Sequence, residues 1–466
     1  MSQNILTDAK LNHITGTQFN AIQLKHWIDQ LCEANPKVFA KDHYNAVFQS
    51  NGLNGKKTLI GCAGRACGMR ISVSKNQILG QIECEGKTIE SIAETLAPDA
   101  TSIPFKKVFE VGNALMQKMR KIIFPAWSTI PLLGGVKSII LQDTLQEMVD
   151  FYLPKVALFG GEGEYWLFHI KEIEMVQLPT LTRPYTPKGN RIESFVFCPE
   201  RKEYLLRMKR VMQKLEQGVV SKVVIARKCT AKFVQTLDML EYADYLNKNY
   251  FQEYLYVFQQ GGTESWIGIP PQAILKQKNG VAITTPQAGT RKKTQNKEEN
   301  EALKKELQQS EKDIIEHESA LNSILSNLQK ADIGTVSLKR EKEILETPYT
   351  FHLESEIAVA LHPNCTFFDF LSAVYPPATV WGIPTAEAEQ AIQEAEPFSR
   401  EFYSGIFGYW TLQGTADFAV VLRSARIEGD TISFYAGGGI IRDSNPEEEW
   451  DETIHKLKPL MGYFET

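Results

Sequence analysis

The segment that most restricts the fold is Lys222-Val223-Val224-Ile225-Ala226. Its run of β-branched residues suits the interior of a sheet. Further strand-like runs occur at 57–61 and 155–159, the second ended by the turn-forming pair Gly160-Gly161. Segments 254–259 and 266–268 read as a hairpin joined through Gly261-Gly262, and the C-terminal part alternates strands at 405–412, 417–424 and 431–436 before a closing helix near Pro446. Helical spacing marks 201–218 through Leu205, Leu206, Met208, Val211, Met212 and Leu215, with Gly218 as its C-cap. Segment 296–328 reads as one long charged helix with an apolar stripe of Leu303, Leu307, Ile314, Leu321, Ile324 and Leu328. The proline-containing stretch 178–191 reads as a connector.

Composition excludes several classes of function. With 43% hydrophobic residues over 466 positions, the chain has ample apolar mass for a large core. Its net charge of −5 is spread along the chain and builds no basic patch, so no nucleic-acid partner is expected. The most apolar region, 122–141, is broken by Pro125, Pro131, Gly134, Gly135 and Lys137, which argues against a membrane span. The start, Met1-Ser2-Gln3-Asn4, shows no basic region leading into an apolar run, so no signal peptide is expected. Seven cysteines, irregularly spaced and without a CxxC pair, argue against a zinc ribbon or a disulfide framework. The expected location is cytoplasmic.

Three features can carry chemistry. Lys222 opens an otherwise apolar strand; such a lysine is usually structural, but once desolvated it can serve as a general base. Carboxylates gather at Glu311, Asp313, Glu316 and Glu318 and again at Glu447, Glu448, Glu449 and Glu452. Glu449 and Glu452, three apart, project from one helix face. Such clusters are commonly solvated surface; if the two helices converge, they make a hard-oxygen site for Mg²⁺. Third, Tyr435-Ala436-Gly437-Gly438-Gly439-Ile440 places a glycine run after a strand, which lets backbone N–H groups approach an anion. Arg423 is either an ordinary ion-pairing arginine or a planar fork for a carboxylate.

Taken in order, these pieces resemble the chorismate-utilising family that includes isochorismate, salicylate, anthranilate and aminodeoxychorismate synthases. The resemblance rests on 221–227 (SKVVIAR), 285–291 (TPQAGTR), 310–313 (SEKD) with 316–318 (EHE), and 403–405 (YSG). It continues through 422–425 (LRSA), 435–440 (YAGGGI) and 444–450 (SNPEEEW). These stretches fall within 196–466, expected to be the chorismate-binding catalytic region; residues 1–195 resemble the family loosely and are expected to form the N-terminal part of the fold. The implied fold is a single large α+β unit of two packed antiparallel sheets flanked by helices, with the active site between them.

The resemblance further implies that Glu316, Glu449 and Glu452 surround a Mg²⁺ ion that anchors a carboxylate of chorismate. Arg423 and the Gly437, Gly438 and Gly439 backbone would hold the substrate's carboxylates, beside Ala288 and Thr290. His352 matches a histidine near the substrate ring, or is a buried structural histidine. Members that add water carry a lysine where Lys222 stands, whereas those that add ammonia draw it from a glutaminase partner. Where aminodeoxychorismate synthases have a nucleophilic lysine, this chain has Ala288. Water is therefore the implied nucleophile, with Lys222 as general base, and no glutamine amidotransferase subunit is expected. The implied activity is isochorismate synthase, serving menaquinone or siderophore synthesis, as a monomer or weak dimer.

The match breaks at 266–272, Trp-Ile-Gly-Ile-Pro-Pro-Gln, where Gln272 stands at the family's general-acid glutamate. An amide cannot act as a titrating acid. The proton then comes from another group, such as Glu264 brought close by a different loop path, or from water; otherwise the chain binds chorismate with impaired turnover. Salicylate synthase, which shares the lysine, is the neighbouring alternative within the family.

Overall fold

The computed structural model describes residues 9–15, 19–39, 44–51, 56–97, 102–123, 127–139, 144–170, 173–176, 192–251, 253–260, 263–347 and 350–464. Two strands of unusual length organise the chain. Lys57–Val73 spans 17 residues and Gln146–Gly161 spans 16, several times the usual run of about five to six. They pair antiparallel along their lengths, with bulges between Arg65 and Cys67 and between Ile71 and Ser72. Bulges bend and twist a ladder, and here they turn the pair from one sheet into another. The first half of Lys57–Val73 pairs with Tyr44–Asn51 and the second half with Gln77–Cys84. Gln146–Gly161 likewise takes Leu132–Ser138 and then Glu164–His169.

From one end of this pair the first sheet runs through Tyr44–Asn51, Tyr254–Gln260, Glu264–Gly268, Ser424–Glu428 and Thr431–Ile440 to Lys222–Lys232. From the other end the second sheet runs through Leu132–Ser138, Glu401–Trp410, Ala416–Val420, Ala273–Lys278 and Val281–Thr284 to Thr350–Leu361. That last strand also carries Gln287–Lys292 on the same edge and Gly334–Glu346 on the other. All of these pairs are antiparallel. In both sheets the N-terminal strands join directly onto C-terminal ones, through Tyr44–Asn51 with Tyr254–Gln260 and Leu132–Ser138 with Glu401–Trp410.

An aromatic layer fills the space between the sheets. Phe48, Tyr254, Tyr256, Phe258 and Trp266 come from the first, and Phe402, Phe407 and Tyr409 from the second. Phe258 stacks on Phe407 with centroids 3.8 Å apart. Outside, Ala21–Ala34, Met239–Tyr250 and Pro446–Met461 cover the first sheet. Phe105–Ile122, Glu311–Ala331 and Phe367–Val374 cover the second. Phe105–Ile122 shows why: Val108, Val111, Leu115 and Met119 recur at helical spacing and are buried, each worth about 1.5–3 kcal/mol of transfer free energy. The expected α+β fold of two packed antiparallel sheets flanked by helices is the one observed.

Several local expectations need correction. Segment 296–328 forms two helices, Lys297–Gln309 and Glu311–Ala331, because Ser310 leaves helical conformation and its side chain accepts from Asp313 N to cap the second. Gly160 and Gly161 remain in the strand, and the turn falls at Glu162-Gly163. Segment 417–424 splits into Ala416–Val420 and Ser424–Glu428, broken where Arg423 takes a φ of +46°. The glycines at 437–439 lie inside the strand Thr431–Ile440 rather than in a loop after it. Helix 201–218 is observed as Arg201–Glu216, with Gly218 at φ +72° just beyond its end. Cys67 and Cys84, paired opposite each other on adjacent strands, form a disulfide, which their irregular spacing did not suggest; the other five cysteines are free. The expected connector 178–191 and the Gly261-Gly262 link lie outside the described residues. Among the described residues no helix is long and apolar enough to cross a membrane.

Candidate active site

Lys222–Lys232 lies beside Thr431–Ile440 with Val224 opposite Gly439, Ile225 opposite Gly438 and Ala226 opposite Gly437. The ladder on the far side of Thr431–Ile440 stops at Tyr435, so the glycines border an opening in the sheet. They are glycines because side chains press on them. A Cβ on Gly439 would stand 2.2 Å from Glu316 Oε1 and 3.2 Å from Lys222 Cε, and one on Gly438 would stand 2.8 Å from Glu449 Oε2. The glycine run thus makes room for these carboxylates from within a strand, where a turn was expected.

Three carboxylates meet three lysines there. Lys222 is fully buried, and its Nζ lies 2.9 Å from Glu316 Oε1. Glu449, 1% exposed, accepts from Lys312 Nζ at 2.9 Å through Oε1, while its Oε2 is buried without a donor. Burial, with the neighbouring Glu452 charge, pushes the Glu449 carboxyl above the usual range. Glu452 pairs with Lys456 Nζ at 2.7 Å, and that ammonium holds its carboxyl below the usual range. Lys456 also donates to Gly437 O at 2.9 Å. The capping breaks matter here: Ser310 starts the helix that carries Lys312 and Glu316, and Asn445 caps the one that carries Glu449 and Glu452.

His352 stands opposite Thr290 in register. Its Nδ1 lies 3.0 Å from Thr290 Oγ1 and 3.3 Å from Gly289 O, and its Nε2 lies 2.8 Å from Thr350 Oγ1. Burial, assisted by the Arg423 charge, pushes its pKa down to about 3, so the ring is neutral at ordinary pH. Burial also lowers the Arg423 guanidinium to about 10, which leaves it cationic at pH 7. Ala288 sits opposite Leu353 on the same strand as Thr290.

Gln272 is buried, its Nε2 3.5 Å from Thr379 Oγ1 and its backbone carbonyl accepting from Val420 N at 3.1 Å. The suggested substitute acid, Glu264, is not brought to it. Glu264 accepts from Arg426 Nε at 2.5 Å and begins its strand at the end away from Gly268, about 13 Å along the backbone. Of the other acidic candidates, Asp313 holds Arg291 at 2.8 Å, while Glu318 pairs with Lys342 and Glu447 with Arg201. Lys456 went unnoticed in the sequence, although its place four residues after Glu452 is an ion-pair signal. Lys312 has no such local cue toward Glu449.

As the side chains stand, no set of three or more His, Cys, Asp or Glu among the described residues is gathered closely enough to hold a metal. The donor chemistry nonetheless fits Mg²⁺: the ligands would be hard carboxylate oxygens, and one of them, Glu449 Oε2, is buried without a partner.

Residues 152–462 match the model of one family, described as chorismate binding enzyme. The chain belongs to that family. Anthranilate synthase component 1 of Aquifex aeolicus (strain VF5) is 31% identical over 260 residues, 55% of this chain and 52% of its own length. Isochorismate synthase MenF of Bacillus subtilis (strain 168) is 28% identical over 263 residues, 56% of this chain and 55% of its own. The chain thus spans about half the length of these curated relatives. In fold it is similar to MenF, the menaquinone-specific isochorismate synthase from Escherichia coli, with a TM-score of 0.74 at 19% identity, covering 98% of this chain and 94% of that one. Anthranilate synthase component I from Streptococcus pneumoniae TIGR4 superposes with a TM-score of 0.65 at 19% identity, covering 88% and 93%.

Proposed function

We propose that this member of the chorismate-binding family is an isochorismate synthase, adding water at C2 of chorismate as the C4 hydroxyl leaves. The observation that carries this reading is Lys222, buried at the head of its strand with Glu316 at 2.9 Å. A water lodged by that side chain would lose its proton to Nζ in the neutral form of the lysine, and the resulting hydroxide attacks the ring. Arg423 offers a cationic, planar fork to a substrate carboxylate. His352, neutral and held by Thr290 and Thr350, presents a polar edge without adding charge. Ala288 offers no nucleophile, which favours water over a covalent amine route. Mg²⁺, held by Glu316, Glu449 and Glu452, would neutralise and anchor a substrate carboxylate once the lysines yield those oxygens.

The relatives include anthranilate synthases at similar identity, so products decide the matter. Incubation with chorismate and Mg²⁺, with products separated by chromatography, is expected to give isochorismate and no fluorescent salicylate. Salicylate would shift the reading to a synthase that also eliminates pyruvate, and anthranilate formed with added ammonia would replace it.

A further inference from the structure

One buried carboxyl stands apart from the lysine pairs. Glu354 is 6% exposed and lies two residues beyond His352, on the same face of Thr350–Leu361. It sits opposite Gln287 in register, on the strand that carries Ala288 and Thr290. Gln287 Nε2 donates to Glu354 Oε2 at 2.8 Å and to Pro271 O at 3.3 Å. One amide therefore ties this carboxyl to the residue before Gln272.

We propose that Glu354 delivers the proton to the leaving C4 hydroxyl, the task that the Gln272 amide cannot perform. The proposal rests on the water-addition reading. Burial raises the Glu354 carboxyl above its usual range against the opposing Gln287 hydrogen bond and Arg340, with Glu253 and Glu356 adding to the rise. Arg340 Nη2 lies 3.1 Å from Oε1 and also binds Glu356. His352, two residues before Glu354 on the same face, is neutral; Glu356, two residues after it, is held by Arg340.

In the step itself, the water oxygen bonds to C2 as its proton passes to Lys222 Nζ. The C1–C2 π pair moves to C1–C6, and the C5–C6 pair moves to C4–C5. The C4–O bond breaks, and the Glu354 proton joins the departing oxygen, which leaves as water. Lys222 then loses a proton and Glu354 regains one through solvent, so one water enters, one leaves and nothing is oxidised.

The test compares wild type, Glu354→Gln and the double variant Glu354→Gln with Gln272→Glu, each with chorismate and Mg²⁺. Glu354→Gln is expected to lower kcat about 10²–10⁴-fold while KM stays within about threefold. The added Gln272→Glu change is expected to recover about tenfold or more of that loss. A Glu354→Gln protein within about threefold of wild-type kcat would overturn the assignment and leave water addition standing. Loss of chorismate binding along with turnover, unrecovered by Gln272→Glu, would also overturn it, marking Glu354 as structural. A wild-type protein that makes no isochorismate would overturn the water-addition reading and this proposal with it.

Discussion

Lys222, Lys312 and Lys456 each meet one carboxylate, and in two of the three pairs the partners come from different elements. Removing Glu316 or Lys312 leaves a buried Lys222 or Glu449 charge without its partner, which is why those two pairs are informative when cut. Lys222→Ala is expected to lower kcat by about 10²–10⁴-fold with chorismate affinity nearly unchanged; a fully active variant would remove it as the base. Glu449→Ala is expected to abolish Mg²⁺-dependent chorismate binding in calorimetric titration, and unchanged metal affinity would take Glu449 out of the metal set. His317 supplies a stability test. It is fully buried with Nε2 2.7 Å from Ser355 Oγ, and burial, then the Lys222 charge, pushes its pKa down from 6.5 to about 4. Between those values the unfolded chain binds the proton and the native one does not, so this residue's contribution to stability is full above pH 6.5 and is lost as pH falls toward 4. His317→Gln is therefore expected to lose less Tm than wild type between neutral pH and about pH 5.

At the scale of elements, the glycine-bearing strand is the part most sensitive to small changes. Gly439→Ala would press a methyl group onto Glu316 Oε1. The atom displaced is the far end of a flexible side chain, so Tm should shift by no more than about 4 °C. Turnover should fall sharply as Glu316 is pushed from the place proposed for Mg²⁺; full activity at unchanged Tm would show that the Glu316 position is not critical. The strand at Lys222 and the helix Arg201–Glu216 were readable because their patterns are local: a β-branched run in one, helical spacing in the other. The break at Ser310 was not readable, because helix-forming residues flank it on both sides and the cap depends on one side chain turning back on the backbone. Nor was the strand character of Gly437–Gly439, which depends on a partner more than 200 residues away in sequence. The carboxylates and Lys222 were legible as residue types in a familiar order. Their lysine partners and Glu354 were largely not, since pairing across elements leaves no periodic trace in sequence.

At the scale of the whole molecule, two long strands bind two sheets into one body. The first sheet contributes Lys222 and the glycines, and the second contributes His352, Thr290 and Glu354. Base and proposed acid thus belong to different sheets, and their separation is fixed by the packing between them. On the proposed reading, this arrangement adds water to chorismate. The most direct measurement is to incubate the protein with chorismate and Mg²⁺ in water enriched in heavy oxygen and to analyse the products by mass spectrometry. Isochorismate carrying one solvent-derived oxygen at C2 is expected. Absence of isochorismate, or isochorismate without solvent oxygen at C2, would contradict that reading.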